Sequence, residues 1–222
     1  MAPEKPQCEV AAWAGAAVLW LAVCAAALSL ALLGLLSVPH ERSPVEIENS
    51  CTALVAGQVF FILFLWPLFE RRAQGGPVTV QLAWAVVRLV ALLTLSAPFI
   101  LIALQTSAAG AGAVIRSQCL FVVLGVAVAA AVRLPRAGSW YYPAMFVLSG
   151  VVPFAAYLLR ETARVSTGWA GAVSPFWASG VVSAGGQWGG PLIIFAALAA
   201  VSVGALLVLG SRCRRPVVPE ER

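Results

Sequence analysis

Aspartate is absent from this 222-residue chain, histidine occurs once, and charge of either sign is scarce: 10% of positions are charged and 61% are hydrophobic. An ordinary soluble domain carries roughly 25% charged and 45–50% apolar residues, so a water-soluble fold could not hide this much apolar surface. The scarcity of polar chemistry also excludes most enzymes. No GxxxxGK[ST] loop is present to cradle a nucleotide phosphate. Any work driven by ATP must therefore use a nucleotide bound by another subunit, and the chain itself is read as a non-enzyme. The five cysteines, Cys8, Cys24, Cys51, Cys119 and Cys213, form no CxxC pair and no metal-ligand spacing with the single histidine, His40, so no metal or cofactor is expected. Cys51 and Cys119 both fall near one face of the membrane in the topology below, where a disulfide is chemically possible. Packing as small hydrophobes is the simpler reading.

What the sequence has is long apolar runs. Spanning hydrocarbon takes about 20 residues of helix at 1.5 Å rise, and six stretches reach this scale: 10–38, 51–69, 86–105, 112–132, 141–159 and 191–209. The expected fold class is all-α, a polytopic membrane helical bundle forming a single transmembrane domain over residues 1–222. The fourth stretch reaches span length only when the small residues Ala111 to Ile115 extend it, with Arg116 at the interface. A β-barrel would show ten-residue segments of alternating polarity. Continuous runs such as Phe60 to Trp66 are helical in character instead. The first run, around Leu21, Ala22, Val23 and Cys24, faintly resembles a lipoprotein cleavage site. It is preceded by Glu4, Lys5 and Glu9 rather than a positive cluster, and it exceeds the 7–15 residues of a signal core, so a retained first helix is expected.

Arginine placement sets an expected orientation. With the N-terminus in the cytoplasm, ten basic residues (Lys5, Arg71, Arg72, Arg88, Arg133, Arg136, Arg212, Arg214, Arg215, Arg222) lie inside and four (Arg42, Arg116, Arg160, Arg164) lie outside, as the positive-inside bias requires. Both termini are then cytoplasmic. The net charge of +5 is accounted for by short loops and a basic tail facing anionic lipid, and no nucleic-acid partner is implied. Arg88 is the one candidate intramembrane charge, close to the cytoplasmic interface, which disfavours proton-coupled transport.

Two connections stand out. Glu70-Arg71-Arg72-Ala73-Gln74-Gly75-Gly76-Pro77 leads into a loosely alternating stretch, Val78 to Arg88, that reads equally as a short helix on the membrane surface or as a loop running into a long third helix. Residues 161–190, with Trp169, Pro175, Phe176, Trp177 and Trp188, read as an outer re-entrant or interfacial connection. In the fifth span, Gly150 and Pro153 within Leu148-Ser149-Gly150-Val151-Val152-Pro153 predict a kink or break. Scattered polar groups (Ser29, Gln58, Thr94, Ser96, Gln105) are the only polar features inside the spans singled out as cargo contacts, each also readable as a helix-packing group.

Taken in order, these features resemble the permease subunits of ABC-2-type ATP-binding-cassette exporters. The resemblance rests on six spans with both ends inside, the charged segment Glu70 to Gly75 after the second span, the Leu148-Ser149-Gly150…Pro153 run in the fifth, the Ser174-Pro175-Phe176 step before the last, and the basic tail Arg212 to Arg215. The haem exporter B subunit of cytochrome c maturation is a related type of similar size. The family usually carries an amphipathic elbow helix before its first span, and here only about nine residues, Met1 to Glu9, precede it. The resemblance implies a multi-pass protein of a bacterial cytoplasmic (inner) membrane, working as a dimer of permeases. A cytoplasmic ATP-binding subunit would dock at Glu70, Arg71, Arg72, Gln74 and Gly75, with a helix break at Gly150 and Pro153 and an outer gate at Ser174, Pro175, Phe176 and Trp177. Two other classes are open: a non-transporting membrane scaffold or assembly factor, whose close helix packing small residues would serve, and an intramembrane enzyme using His40, Glu41 and Glu48, which are more simply a solvated turn.

Overall fold

The computed structural model of the chain describes residues 5–36, 44–70, 77–106, 110–134, 137–164 and 173–212. Among them every regular element is helical: α1 (Lys5–Leu36), α2 (Pro44–Phe60), a π turn (Phe61–Leu65) running directly into α3 (Trp66–Glu70), α4 (Val78–Thr106), α5 (Ala111–Val132), α6 (Ala137–Phe146), a second π turn (Val147–Val151) running into α7 (Val152–Ala163), α8 (Pro175–Ser183) and α9 (Gly189–Arg212). Six rods are long and apolar enough to cross a bilayer: Ala11–Leu33, Ser50–Glu70, Val78–Thr106, Ala111–Val132, Ser139–Ala163 and Gly189–Leu209. The chain is therefore a multi-pass α-helical membrane bundle. The stretch after Pro77 is itself the start of a continuous third span, neither a separate surface helix nor a loop leading into one.

Span composition is nearly uniform, and packing decides which helices are central. The fourth span is 61% buried and the second 50%, whereas the fifth is 6% buried. α5 is the hub, touching α2, α4, α6, α8 and α9, with α1 lying against α2 and α4. Its far half is built from small residues, with Gly125, Ala127, Ala129 and Ala130 all buried, which lets neighbouring backbones come close. The outer surface carries large apolar side chains, including Val18, Leu30, Trp140, Phe146 and Ile193, each at least 66% exposed. In water such a surface would aggregate; against lipid tails it costs nothing.

One aromatic knot ties the first four spans together. Trp20 of α1 is fully buried, its ring 5.0 Å from Phe61 and 5.3 Å from Phe121. Its indole N–H donates to the Leu92 carbonyl of α4 at 2.8 Å, which sets those two residues level. Closer contact occurs at two glycines. A Cβ on Gly57 would meet the Cβ of Ala27 at 2.9 Å, and one on Gly125 would meet the Leu89 methyls at 2.7 and 2.9 Å. Ala27 Cβ is fixed to the α1 backbone, while the end of Leu89 can rotate. Gly57→Ala is accordingly expected to cost about 1–3 kcal/mol of stability and Gly125→Ala clearly less, the helix propensity of alanine, worth about 1 kcal/mol, offsetting part of each. Thermal unfolding of the two variants in one detergent tests the order; the reverse order would contradict the α1–α2 contact.

Candidate functional site

Both π turns have the same local cause. Each is followed by one residue and then a proline, Pro67 in one case and Pro153 in the other. Proline has no N–H and its ring crowds the carbonyl four residues back. The residue before it bonds one position further back instead: Trp66 N–H to the Phe61 carbonyl and Val152 N–H to the Val147 carbonyl. The predicted break at Gly150 and Pro153 is thus a widened turn in a continuous rod. Proline alone does not dictate it, since Pro98 and Pro143 lie inside ordinary α-helix.

At Pro67 the lost bond is replaced from another span. The Leu63 carbonyl, which an α-helical residue at position 67 would have bonded, accepts the Tyr141 hydroxyl at 2.9 Å, and Tyr142 reaches the Phe64 carbonyl at 3.4 Å. The loosened stretch of the second span is therefore held by the start of the fifth. Tyr141→Phe is expected to cost about 1 kcal/mol, and much less in a Pro67→Ala background, where the backbone supplies its own donor. Equal costs in the two backgrounds, read by thermal unfolding, would contradict this role.

Three residues after Pro67, the second span ends on Glu70, and its carboxylate is buried, 1% exposed. Oε1 accepts from Arg88 of α4 at 3.1 Å, and Oε2 accepts from Arg133, which follows α5. Arg133 also donates to the Ala129 carbonyl at 2.7 Å. The sequence reading placed Glu70 on a docking surface; its side chain instead faces inward and closes a charged node joining spans two, three and four. The Arg88 guanidinium reaches towards the end of the bundle to meet it, as a long basic side chain near a hydrocarbon edge does. Arg71, Arg72, Gln74 and Gly75 lie outside the described residues.

A second polar layer lies twelve residues back along the same rod, at Gln58. Twelve residues of helix rise about 18 Å, so with Glu70 at one hydrocarbon edge Gln58 falls near the middle of a core about 30 Å thick. There Gln118 of α5 donates to Gln58 Oε1 at 3.0 Å, Gln58 Nε2 donates to Ser96 Oγ at 3.5 Å, and Ser96 donates to the Leu93 carbonyl at 2.9 Å. The chain of bonds crosses three helices and leaves one buried acceptor, Gln118 Oε1, without a partner. A buried unpaired polar atom is costly in an apolar surrounding, so the head of this chain is chemically suited to a hydrogen-bond donor. Of the other polar residues noted in the spans, Ser29 and Gln105 are exposed and Thr94 bonds back to its own helix at the Val90 carbonyl.

The far end of the second span meets α8. Thr52 Oγ1 lies 3.0 Å from Ser183 Oγ, and α8 packs on α2 and α5. Ser174 precedes α8 with extended backbone, and its buried hydroxyl has no partner; Pro175 is buried at the first helical position, with Phe176 and Trp177 half-buried. Ser174 and the first turn of α8 therefore bring the four residues of the expected gate together at the end of the bundle opposite Glu70. Cys51 is buried and unpaired, and Cys119 is exposed and unpaired. His40 and Glu41 lie outside the described residues.

Gln118 and Arg133, which complete the two layers, and Tyr141, which caps the π turn at Leu63, are the residues whose roles sequence reasoning missed. Each is a polar residue in or beside an apolar run, and Glu70, Arg88 and Arg133 stand at same-side ends of consecutive spans, which was the available signal. Together the fold and the two layers define a polytopic α-helical membrane protein with a charged node at one edge and a neutral hydrogen-bonded layer at mid-depth. Compared with protein-family models, curated proteins and solved structures, the chain matches none of them.

Proposed function

We propose that the chain is the membrane-spanning permease subunit of an ATP-binding-cassette exporter, working with a separate ATP-hydrolysing subunit at the cytoplasmic membrane of a bacterium. The observation that carries this reading is the position of the Glu70 node. The second span ends on Glu70 and the third begins at Val78, and Arg88 of that third span holds the same carboxylate that Arg133 holds from the end of α5. A force applied to the connection between these two spans by a docked partner is delivered at once to three spans. Spans two, three and four are also the three joined by Gln58, Ser96 and Gln118, so movement at the node reaches the mid-membrane layer along the same three spans.

In this reading Arg71 and Arg72 carry the docking contact, Glu70 transmits it, and the amide layer faces the cargo. Both termini and the connection 71–77 lie in the cytoplasm. Co-expression with a candidate ATP-binding subunit tests the reading: the two are expected to co-purify, with Arg71→Ala/Arg72→Ala weakening the pairing and Glu70→Gln leaving ATP hydrolysis intact while export falls. Pairing indifferent to Arg71 and Arg72, or export indifferent to Glu70, would count against it and favour a scaffold.

A further inference from the structure

The charged node is not electrically balanced. One carboxylate offers about four lone-pair sites, whereas each guanidinium carries five N–H donors and a full positive charge. Glu70 thus neutralises one of two arginines and leaves a net charge of +1 among these three residues at the hydrocarbon edge. The two arginines differ in what they have left to give. Arg133 is 4% exposed and is directed inward, to Glu70 and to the Ala129 carbonyl. Arg88 is 22% exposed, and among the described residues Glu70 is its one hydrogen-bond partner, taking one of five donors.

The surface around Arg88 specifies what would approach it. Trp84 stands one helical turn before it on the same face of α4 and is 57% exposed. Indole rings on a span surface favour the headgroup level, where the ring is in an apolar layer and the N–H meets polar groups. In the other direction the same face continues as Ala91, half-buried, and Leu95, exposed. A small residue followed by an aliphatic one leaves a shallow apolar track running from the guanidinium towards mid-membrane. An aromatic ring at headgroup level, a cation with unused donors beneath it and an apolar track below that match the order of parts in a phospholipid: headgroup, phosphate, acyl chain.

We propose that this face of α4 binds an anionic phospholipid in the leaflet at the Glu70 end, with Arg88 holding the phosphate through the donors Glu70 leaves free, Trp84 flanking the headgroup and an acyl chain lying over Ala91 and Leu95. The charged Arg–phosphate hydrogen bonds favour any phosphate. The uncompensated positive charge favours a lipid with net negative charge over a zwitterionic one, and the apolar track favours a lipid over a free phosphate ion. The site is independent of whether the chain transports anything.

The test uses the full chain in nanodiscs of phosphatidylcholine alone, of equal parts phosphatidylcholine and phosphatidylglycerol, and of phosphatidylcholine with inorganic phosphate in the buffer. Phosphatidylglycerol retained after release is read by native mass spectrometry, and the thermal midpoint is read alongside. The wild-type chain is expected to retain phosphatidylglycerol and to unfold at a higher midpoint in its presence, with inorganic phosphate giving no shift. Arg88→Gln is expected to lower retention about tenfold, the equivalent of one charge-assisted bond. If that variant does not fold, Arg88→Lys keeps a cation beside Glu70 but loses the planar fork, and Trp84→Ala leaves the ion pair intact; each should lower retention by a smaller factor. Undiminished retention in the folded variants, an equal shift from inorganic phosphate, or no preference for phosphatidylglycerol would overturn the proposal.

Discussion

Glu70→Ala is expected to destabilise the folded bundle by about 3–5 kcal/mol, the cost of breaking a buried ion pair from one side. The magnitude follows from what is left behind. Glu70 is 1% exposed, and its removal strands Arg133, 4% exposed, without a counter-charge. Arg88 escapes more cheaply because it is partly exposed and can extend to the interface. The loss should therefore be largely reversed by a second substitution, Arg133→Met, which fills a similar volume without charge, since well-packed apolar replacements of buried ion pairs are often neutral or stabilising. Thermal unfolding in nanodiscs of the wild-type chain, Glu70→Ala and the double variant measures this. A loss below about 1 kcal/mol for Glu70→Ala would mean that the node does not hold spans two, three and four together, since exposed pairs are worth no more than that.

The second large effect is expected at Trp20. Its ring is completely buried among Phe61, Phe121 and the Leu92 carbonyl. Truncating a buried tryptophan costs roughly 3–5 kcal/mol in proteins generally. The low end of that range, about 3 kcal/mol, applies here, because a span unfolded within lipid still surrounds its apolar groups with hydrocarbon and only the cavity and packing losses remain. Trp20→Phe should cost about 1 kcal/mol, retaining most of the ring contact and losing the hydrogen bond. Chemical or thermal unfolding of Trp20→Ala and Trp20→Phe separates packing from the bond. Equal losses would show that the N–H contact to Leu92, not ring volume, holds α1 in place.

The spans were legible because hydrocarbon imposes length and composition together, and both can be read along a single sequence. The ends were less so. Thr79 and Gln81 interrupt the apolar run and left open a surface segment before position 86, whereas α4 begins at Val78; a helix end that runs past the headgroup level need not be apolar throughout. The run Phe60 to Trp66, read simply as helix, contains a π turn, because the effect of Pro67 falls on the residues before it. Pro153 announced its own site more openly, with Gly150 beside it.

The charged and polar layers were legible only in part. Gln58, Ser96 and Arg88 could be singled out as polar residues in apolar runs. That Gln118 completes one layer and Arg133 the other depends on the register between spans, which no local pattern carries. Glu70 illustrates the same limit. Next to Arg71 and Arg72 it reads as one more surface charge, but its place in the 3.6-residue turn of its own rod points it inward, where its side chain is 1% exposed.

If six helices cross one bilayer, the Glu70 node lies at one edge and α8 at the other. Compartment-sensitive reporters at the two termini and within 71–76, 37–43 and 165–172 test it most directly. The termini and 71–76 are expected on one face, the cytoplasmic one, with 37–43 and 165–172 on the opposite face. Termini on different faces, or 71–76 sharing a face with 37–43, would contradict the account.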